Sequence, residues 1–383
     1  KNAKYEFRVT ALDNRFNASE GLLVTGTTGK GGSGGPGPGN PGPGEPGPGE
    51  PGPGNPNPEE PSGSDRISIP MTGEALKWTG FEDEIRLQVP AGAFAKDSTL
   101  TVEKSSLTEP LPAGYTDYGS LFSLIQAPSS GGAFGSKVGL SLKAANIDTL
   151  AEKQTLGIYK KGAAGQWIYI GGVWNAKEQR VEARIEEPGT YAILSYGRLF
   201  PDAETHWASR EIRILTARHI LSGASDARFA PDRPITRAEL TKLLLFLVDS
   251  DRDVPSGSAD GASFRDVDPN AWYAPYVEEA AKLGIVQGND GLFRPNDTVT
   301  REEMAVMLGR ALDLKAENSP AEADFEDQEQ IAAWARPYAA AAKKLKLIQG
   351  LPGNRFGPDG LTTRAQAAVI LYRALVNKGL IGD

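Results

Sequence analysis

The sequence predicts a multidomain chain. A β-sandwich module is followed by an all-α unit of three helix-loop-helix repeats around a central helix bundle, and a disordered Pro/Gly linker joins them to an N-terminal β remnant. Three observations predict it: glycine and proline crowd one tract, short alternating apolar segments fill the middle, and one motif recurs three times near the C-terminus.

Charge and composition exclude several function classes. The 383 residues carry 41 Lys+Arg against 49 Asp+Glu, a net −8. That acidic balance offers no electrostatic footprint for nucleic acid or an anionic membrane. Without cysteine, disulfide scaffolds and thiolate metal sites are excluded, and His206 and His219 leave little for a metal site or a His-based triad. No metal, cofactor or catalytic residue is expected. No apolar run approaches the roughly 18 residues of a membrane span. The opening at Lys1, with neither Met nor an apolar leader, reads as a piece cut from a larger protein.

Residues 1–28 hold one and a half strands. Tyr5, Phe7, Val9 and Ala11 alternate with polar residues, and Leu22-Leu23-Val24 offers a second strand. Two strands are not a stable unit alone.

Residues 29–63 are almost entirely Gly, Pro, Asn, Glu and Ser, with Pro-Gly-Pro-Gly repeating every five residues from Pro36, Pro41, Pro46 and Pro51. Collagen needs Gly at every third position, which a period of five excludes. Nothing here can bury apolar surface to offset ordering entropy, so the tract is a spacer.

From 64 to 197 the signals are strands cut by turns. Ile85–Val89 alternates and turns at Pro90-Ala91-Gly92. Further strands are expected at 98–102, 138–142, 156–160, 167–170, 181–185 and 191–195, which argues a β-sandwich. Trp78, Trp167, Tyr169 and Trp174 could line a sugar-binding face; at strand spacing the favoured assignment is core or sheet-surface aromatics.

Three repeats follow, at 199–250, 263–314 and 324–376. They open with Phe200-Pro-Asp202, Phe264-Arg-Asp266 and Phe325-Glu-Asp327, and Trp207, Trp272 and Trp334 come next. Gly223, Gly288 and Gly350 each lie 16 residues after their Trp. Then come Phe229-Ala-Pro231, Phe293-Arg-Pro295 and Phe356-Gly-Pro358, and finally Thr236-Arg-Ala-Glu239, Thr300-Arg-Glu-Glu303 and Thr363-Arg-Ala-Gln366. The first helix should start near the Trp and end at the Gly, a favoured residue past a helix C-terminus. The second should open on a capping box made by Thr236 and Glu239, Thr300 and Glu303, and Thr363 and Gln366. Its apolar stripe (Leu240, Leu243, Leu244 and Leu247 in the first copy) needs cover beyond its own repeat, so the second helices are expected to pack together.

Arg237, Arg301 and Arg364 stand in the first turn, where the helix dipole disfavours a cation by about 0.3–1 kcal/mol. Two accounts remain open. Free N–H groups plus a guanidinium fork suit a carboxylate ligand. Alternatively, each Arg pairs with an acid of a neighbouring copy, such as Asp202, Asp266 or Asp327.

The triple pattern resembles three tandem S-layer homology domains. That resemblance implies a three-pronged pseudo-trimer whose grooves hold secondary cell-wall polysaccharide, suspected to end in pyruvylated N-acetylmannosamine. It would give Arg237, Arg301 and Arg364 the ketal carboxylate, and make the three tryptophans and three glycines groove walls. Tyr5–Ala11 resembles the penultimate strand of a fibronectin type III domain, and the stretches Val89–Phe94 and Pro188–Leu194 look like a sandwich module of ankyrins. Departures are His206 before Trp207, Glu211 where later copies carry Tyr276 and Tyr338, and Gln366 closing the third motif. The expectation is noncovalent anchoring of a secreted Gram-positive surface protein to the cell wall, with self-association possible. The alternatives are an S-layer lattice subunit, or the anchor of a glycan-active enzyme whose catalytic domain lies upstream.

Overall fold

The computed structural model describes residues 4–9 and 22–27 as backbone, and residues 65–128, 133–145, 147–225, 227–248, 263–314 and 324–382. The expected linker at 29–63 lies outside the described residues. Strands β1 (Lys4–Val9) and β2 (Leu22–Thr27) pair antiparallel, with Phe7 opposite Val24.

Alternation builds the β part. Strands β3 (Arg66–Met71), β4 (Leu76–Gly80), β5 (Ile85–Val89), β6 (Ser98–Ser105), β7 (Tyr115–Asp117), β8 (Leu121–Ala127) and β9 (Val138–Lys143) precede a short helix, α1 (Leu150–Thr155). After it come β10 (Leu156–Lys161), β11 (Trp167–Gly171), β12 (Val173–Asn175), β13 (Arg180–Ile185) and β14 (Gly189–Tyr196). One antiparallel sheet runs β11-β10-β14-β8-β6-β3 with β7 also on β14; the other runs β12-β13-β9-β5-β4. Inward residues of both sheets share one core. Ile85, Leu87, Val89, Leu140 and Leu142 from one meet Leu100, Val102, Leu124, Ile158 and Ile193 from the other. Trp78 and Trp174 are buried in that core, which removes them from any sugar-binding face.

Among the described residues the remainder holds six longer helices: α2 (Ser209–Ala217), α3 (Arg237–Val248), α4 (Ala274–Lys282), α5 (Arg301–Ala311), α6 (Arg336–Lys344) and α7 (Arg364–Asn377). Each first helix begins two residues after its tryptophan. The partners are exchanged between copies: α3 packs on α4, α5 on α6, and α7 on α2, so the last copy closes onto the first. The second helices are therefore covered on more than one side. In α5 burial extends all round, from Met304 and Met307 to Ala305, Val306 and Gly309.

The expected all-α bundle is corrected here. The centre is a ring of β-bridges, Pro234 to Thr363, Thr236 to Thr298 and Thr300 to Leu361. Ile235 N–H donates to Thr362 O at 2.9 Å, Thr362 N–H to Val299 O at 2.9 Å, and Val299 N–H back to Ile235 O at 3.2 Å. The cause is local. The capping residues Thr300 and Thr363 are extended, and chain segments that enter helices this way and meet in one place satisfy one another's backbone groups. The α3 helix also contacts α5 and α7, so helices surround this ring.

At their boundary, the β part and the repeats share a polar and aromatic seam. Tyr159 Oη donates to Ala217 O at 3.0 Å, and His219 stacks on Tyr196 with centroids 4.9 Å apart. Arg218 donates to Gly172 O at 2.6 Å and Gln154 O at 3.0 Å. The chain is thus a β-rich unit and a helical ring joined by direct contacts.

Candidate functional site

The capping boxes set the geometry. Glu239 N–H donates to Thr236 Oγ1 at 3.3 Å, Glu303 N–H to Thr300 Oγ1 at 3.3 Å, and Gln366 N–H to Thr363 Oγ1 at 3.2 Å. The two N–H groups before these are also taken, by carbonyls of another copy. Arg237 and Ala238 donate to Asp297 O and Pro295 O, Arg301 and Glu302 to Gly360 O and Pro358 O, and Arg364 and Ala365 to Arg233 O and Pro231 O. The free helix-start N–H groups expected for a carboxylate are therefore occupied by protein.

The arginine side chains follow the same path. Arg237 Nε donates to Phe293 O at 2.9 Å, Arg301 Nε to Phe356 O at 2.7 Å, and Arg364 Nε to Phe229 O at 3.0 Å. Each guanidinium also lies over that Phe ring, at 5.1, 5.4 and 4.6 Å from the centroid. A further N–H points at the carbonyl just before the loop glycine of a neighbouring copy: Gln287 O, Gln349 O and Ser222 O. Burial pushes all three guanidiniums below their ordinary value. The expected pairing with Asp202, Asp266 or Asp327 does not form, because those carboxylates receive backbone N–H groups of their own copy. Asp202 accepts from Phe229 and Ala230, Asp266 from Phe293 and Arg294, and Asp327 from Phe356 and Gly357. Burial alone would raise these carboxyls; the paired donors outweigh it and hold each below the ordinary aspartate range.

Where a carboxylate does reach an arginine, it is the capping-box Glu. Glu239 Oε1 lies 3.3 Å from Arg364 Nη1, and Glu303 Oε1 lies 3.7 Å from Arg237 Nη1. Sequence spacing alone missed these pairs, since each joins residues of different copies.

The glycines do not end the first helices. Those helices close at His219, Gly284 and Lys346, all with positive φ (56, 69 and 57°). Gly223 and Gly288 instead serve close approach. A Cβ on Gly288 would lie 2.5 Å from the Phe264 ring and 2.6 Å from Leu292 O; one on Gly223 would press on Ser225 O and the Phe200 ring. Gly350 has ordinary clearance, 3.4 Å to Asn354.

Trp207, Trp272 and Trp334 project outward, 63, 55 and 53 % exposed. Lys242 of α3 lies 6.0 Å from the Trp272 centroid and 5.5 Å from that of Tyr276 on α4. Five residues on a helix separate Lys242 from Arg237 by about 7.5 Å along the axis. The α3–α4 junction therefore runs from Arg237 and the Gly288 loop at one end to exposed Trp272 and half-buried Tyr276 at the other. By contrast, Tyr169 receives Arg218 Nη1 at 3.2 Å, within the seam beside Tyr159.

Sequence reading also missed Gln154. It is buried, donates to Gly382 O at 2.9 Å, and accepts from Arg210 at 2.6 Å and Tyr372 at 3.2 Å. Its helix α1 carries the same Thr-x-x-Glu signature, Thr149 to Glu152, that marks the second helices. Among the described residues no His/Asp/Glu group could hold a metal ion, and no helix is long and apolar enough to cross a membrane.

The S-layer homology domain family model matches residues 199–241, 263–305 and 324–368, so the chain carries three such domains. An amylopullulanase of Thermoanaerobacterium thermosulfurigenes is 37% identical over 227 residues, 58% of this chain and 12% of that protein. Exoglucanase XynX of Acetivibrio thermocellus is 38% identical over 187 residues, 48% of this chain and 17% of that protein. The S-layer protein sap of Bacillus anthracis is 28% identical over 186 residues, 47% of this chain and 22% of that protein. The chain thus spans less than a quarter of the length of these relatives. The fibronectin-like expectation for residues 1–28 finds no support among these matches.

Proposed function

We propose that the three repeats anchor a secreted protein noncovalently to the bacterial cell wall by binding secondary cell-wall polysaccharide. The observation that carries this is the threefold S-layer homology match on repeats that each hold an exposed tryptophan before the first helix and a largely buried arginine at the start of the second. Flat apolar ring faces suit stacking on sugar, and a guanidinium suits a carboxylate on it. The suspected ligand end is N-acetylmannosamine bearing a pyruvate ketal. Its contacts would be Trp207, Trp272 and Trp334, with Arg237, Arg301 and Arg364 and the Gly223, Gly288 and Gly350 loops forming the walls.

The test is co-sedimentation of the full chain with purified wall polysaccharide, before and after mild removal of pyruvate. Binding that needs pyruvate supports the carboxylate reading; equal binding without it refutes that reading and leaves glycan anchoring standing. The relatives named as S-layer proteins favour a second reading, a lattice subunit, whose test is ordered arrays formed without wall glycan. The relatives named as glycan-active enzymes favour the anchor of an enzyme whose catalytic domain lies outside these residues.

A further inference from the structure

The three junctions differ at two positions, and those differences sort them as anion sites. At the junction of copies three and one, Glu239 lies 3.3 Å from Arg364 and also pairs with Arg233. At the junction of copies one and two, Glu303 lies 3.7 Å from Arg237, and Asp297 adds a second negative charge nearby. At the junction of copies two and three, the same register position is Gln366, whose Oε1 accepts from Thr363 N–H at 3.1 Å. The position matching Arg233 and Asp297 is Gly360.

Arg301 therefore has no carboxylate within ion-pair distance among the described residues, although it is 5 % exposed and its Nε and Nη2 are held by carbonyls. The acid that acts on it, Asp327, is already bonded to two backbone N–H groups. A buried cation held only by neutral carbonyls keeps its charge uncompensated, and a bound carboxylate removes that cost.

We infer that the junction of copies two and three, at Arg301, is the primary carboxylate site, and that the junction of copies three and one is self-occupied, with Glu239 standing where a ligand carboxylate would sit. This rests on the carboxylate reading of the wall glycan. Gln366 is a specificity-determining residue, since a capping box closed by Gln keeps the helix start intact while leaving the neighbouring guanidinium available. Glu at that position would cap equally well and neutralise it.

The experiment is calorimetric titration of the full chain with N-acetylmannosamine carrying a pyruvate ketal, and with the same sugar lacking it. Gln366→Glu is expected to weaken the tightest site by about tenfold or more. Glu239→Gln is expected to add a site. Both substitutions preserve the capping atom, and circular dichroism checks the helices. If Gln366→Glu stays within about twofold of the parent while the ketal is still required, the assignment of Arg301 is overturned and the carboxylate reading survives. No added site in Glu239→Gln overturns the self-occupied junction. If the parent binds the ketal-free sugar equally well, the carboxylate reading itself fails.

Discussion

Arg364 Nε donates to the carbonyl oxygen of Phe229, 135 residues earlier in the chain, at 3.0 Å. That bond closes the third repeat onto the first, and Ser222 O and Glu239 take the other two nitrogens of the same side chain. Arg364→Ala should therefore destabilise the ring by about 2–4 kcal/mol, because it strands two carbonyls in a largely buried site and takes one of the two arginines from Glu239. Urea unfolding followed by circular dichroism measures this. A loss no larger than that of an exposed substitution would show that the guanidinium does not hold the copies together.

Thr362 occupies the position that Ile235 and Val299 hold in the other copies, and its Oγ1 is buried with no hydrogen-bond partner. The backbone ring uses only its N–H and C=O. Thr362→Val removes the stranded hydroxyl at constant shape, and the protein should gain about 1 kcal/mol, read as a higher midpoint of thermal unfolding. An unchanged or lower midpoint would contradict the assignment.

Of the three loop glycines, two are crowded and one is not. Gly288→Ala should cost about 2 kcal/mol or more, since its Cβ meets a ring carbon at 2.5 Å and a carbonyl at 2.6 Å. Gly350→Ala, with 3.4 Å clearance, should stay within about 0.5 kcal/mol. Parallel denaturation curves of the two variants decide it, and equal losses would defeat the steric account.

His219 lies among Tyr159, Tyr169 and Tyr196 beside Arg218, and burial holds its imidazole below the ordinary value of 6.5. Above 6.5 the imidazole is neutral in both states and the seam keeps its full stability. As pH falls from there through the folded value, the unfolded chain takes up the proton first, so stability is lost. Thermal midpoints should drop over that range, and His219→Asn, which tolerates the left-handed backbone, should flatten the drop. The aspartates of the Phe-x-Asp motifs are depressed carboxylates, and their contribution is lost only below about 3.8, which separates the two effects.

The repeat was legible because it is written in local chemistry. Thr and Glu three apart make a capping box wherever they fall, and Phe229, Phe293 and Phe356 are buried as apolar residues beside a rigid Pro. What joins the copies was not legible. Arg301 reaching Phe356 O, and Ile235 reaching Thr362 O, depend on a closure that no window of sequence displays. For the same reason the first-turn arginines read as a conflict with the helix dipole. Their side chains leave their own helix and settle on the next copy. Thr149-x-x-Glu152 was visible, yet six helical residues give too few turns to stand out by periodicity.

Gln154 ties the chain's far end to its middle, holding Gly382 O, Tyr372 and Arg210 from one buried side chain. In mechanical terms this changes how a load would travel. A pull arriving through the β part enters the ring at the first and third repeats together, across Arg218 and Gln154. The first and third repeats are then loaded in parallel, and the second is loaded through them. Glycan grips at separate junctions would then share the force.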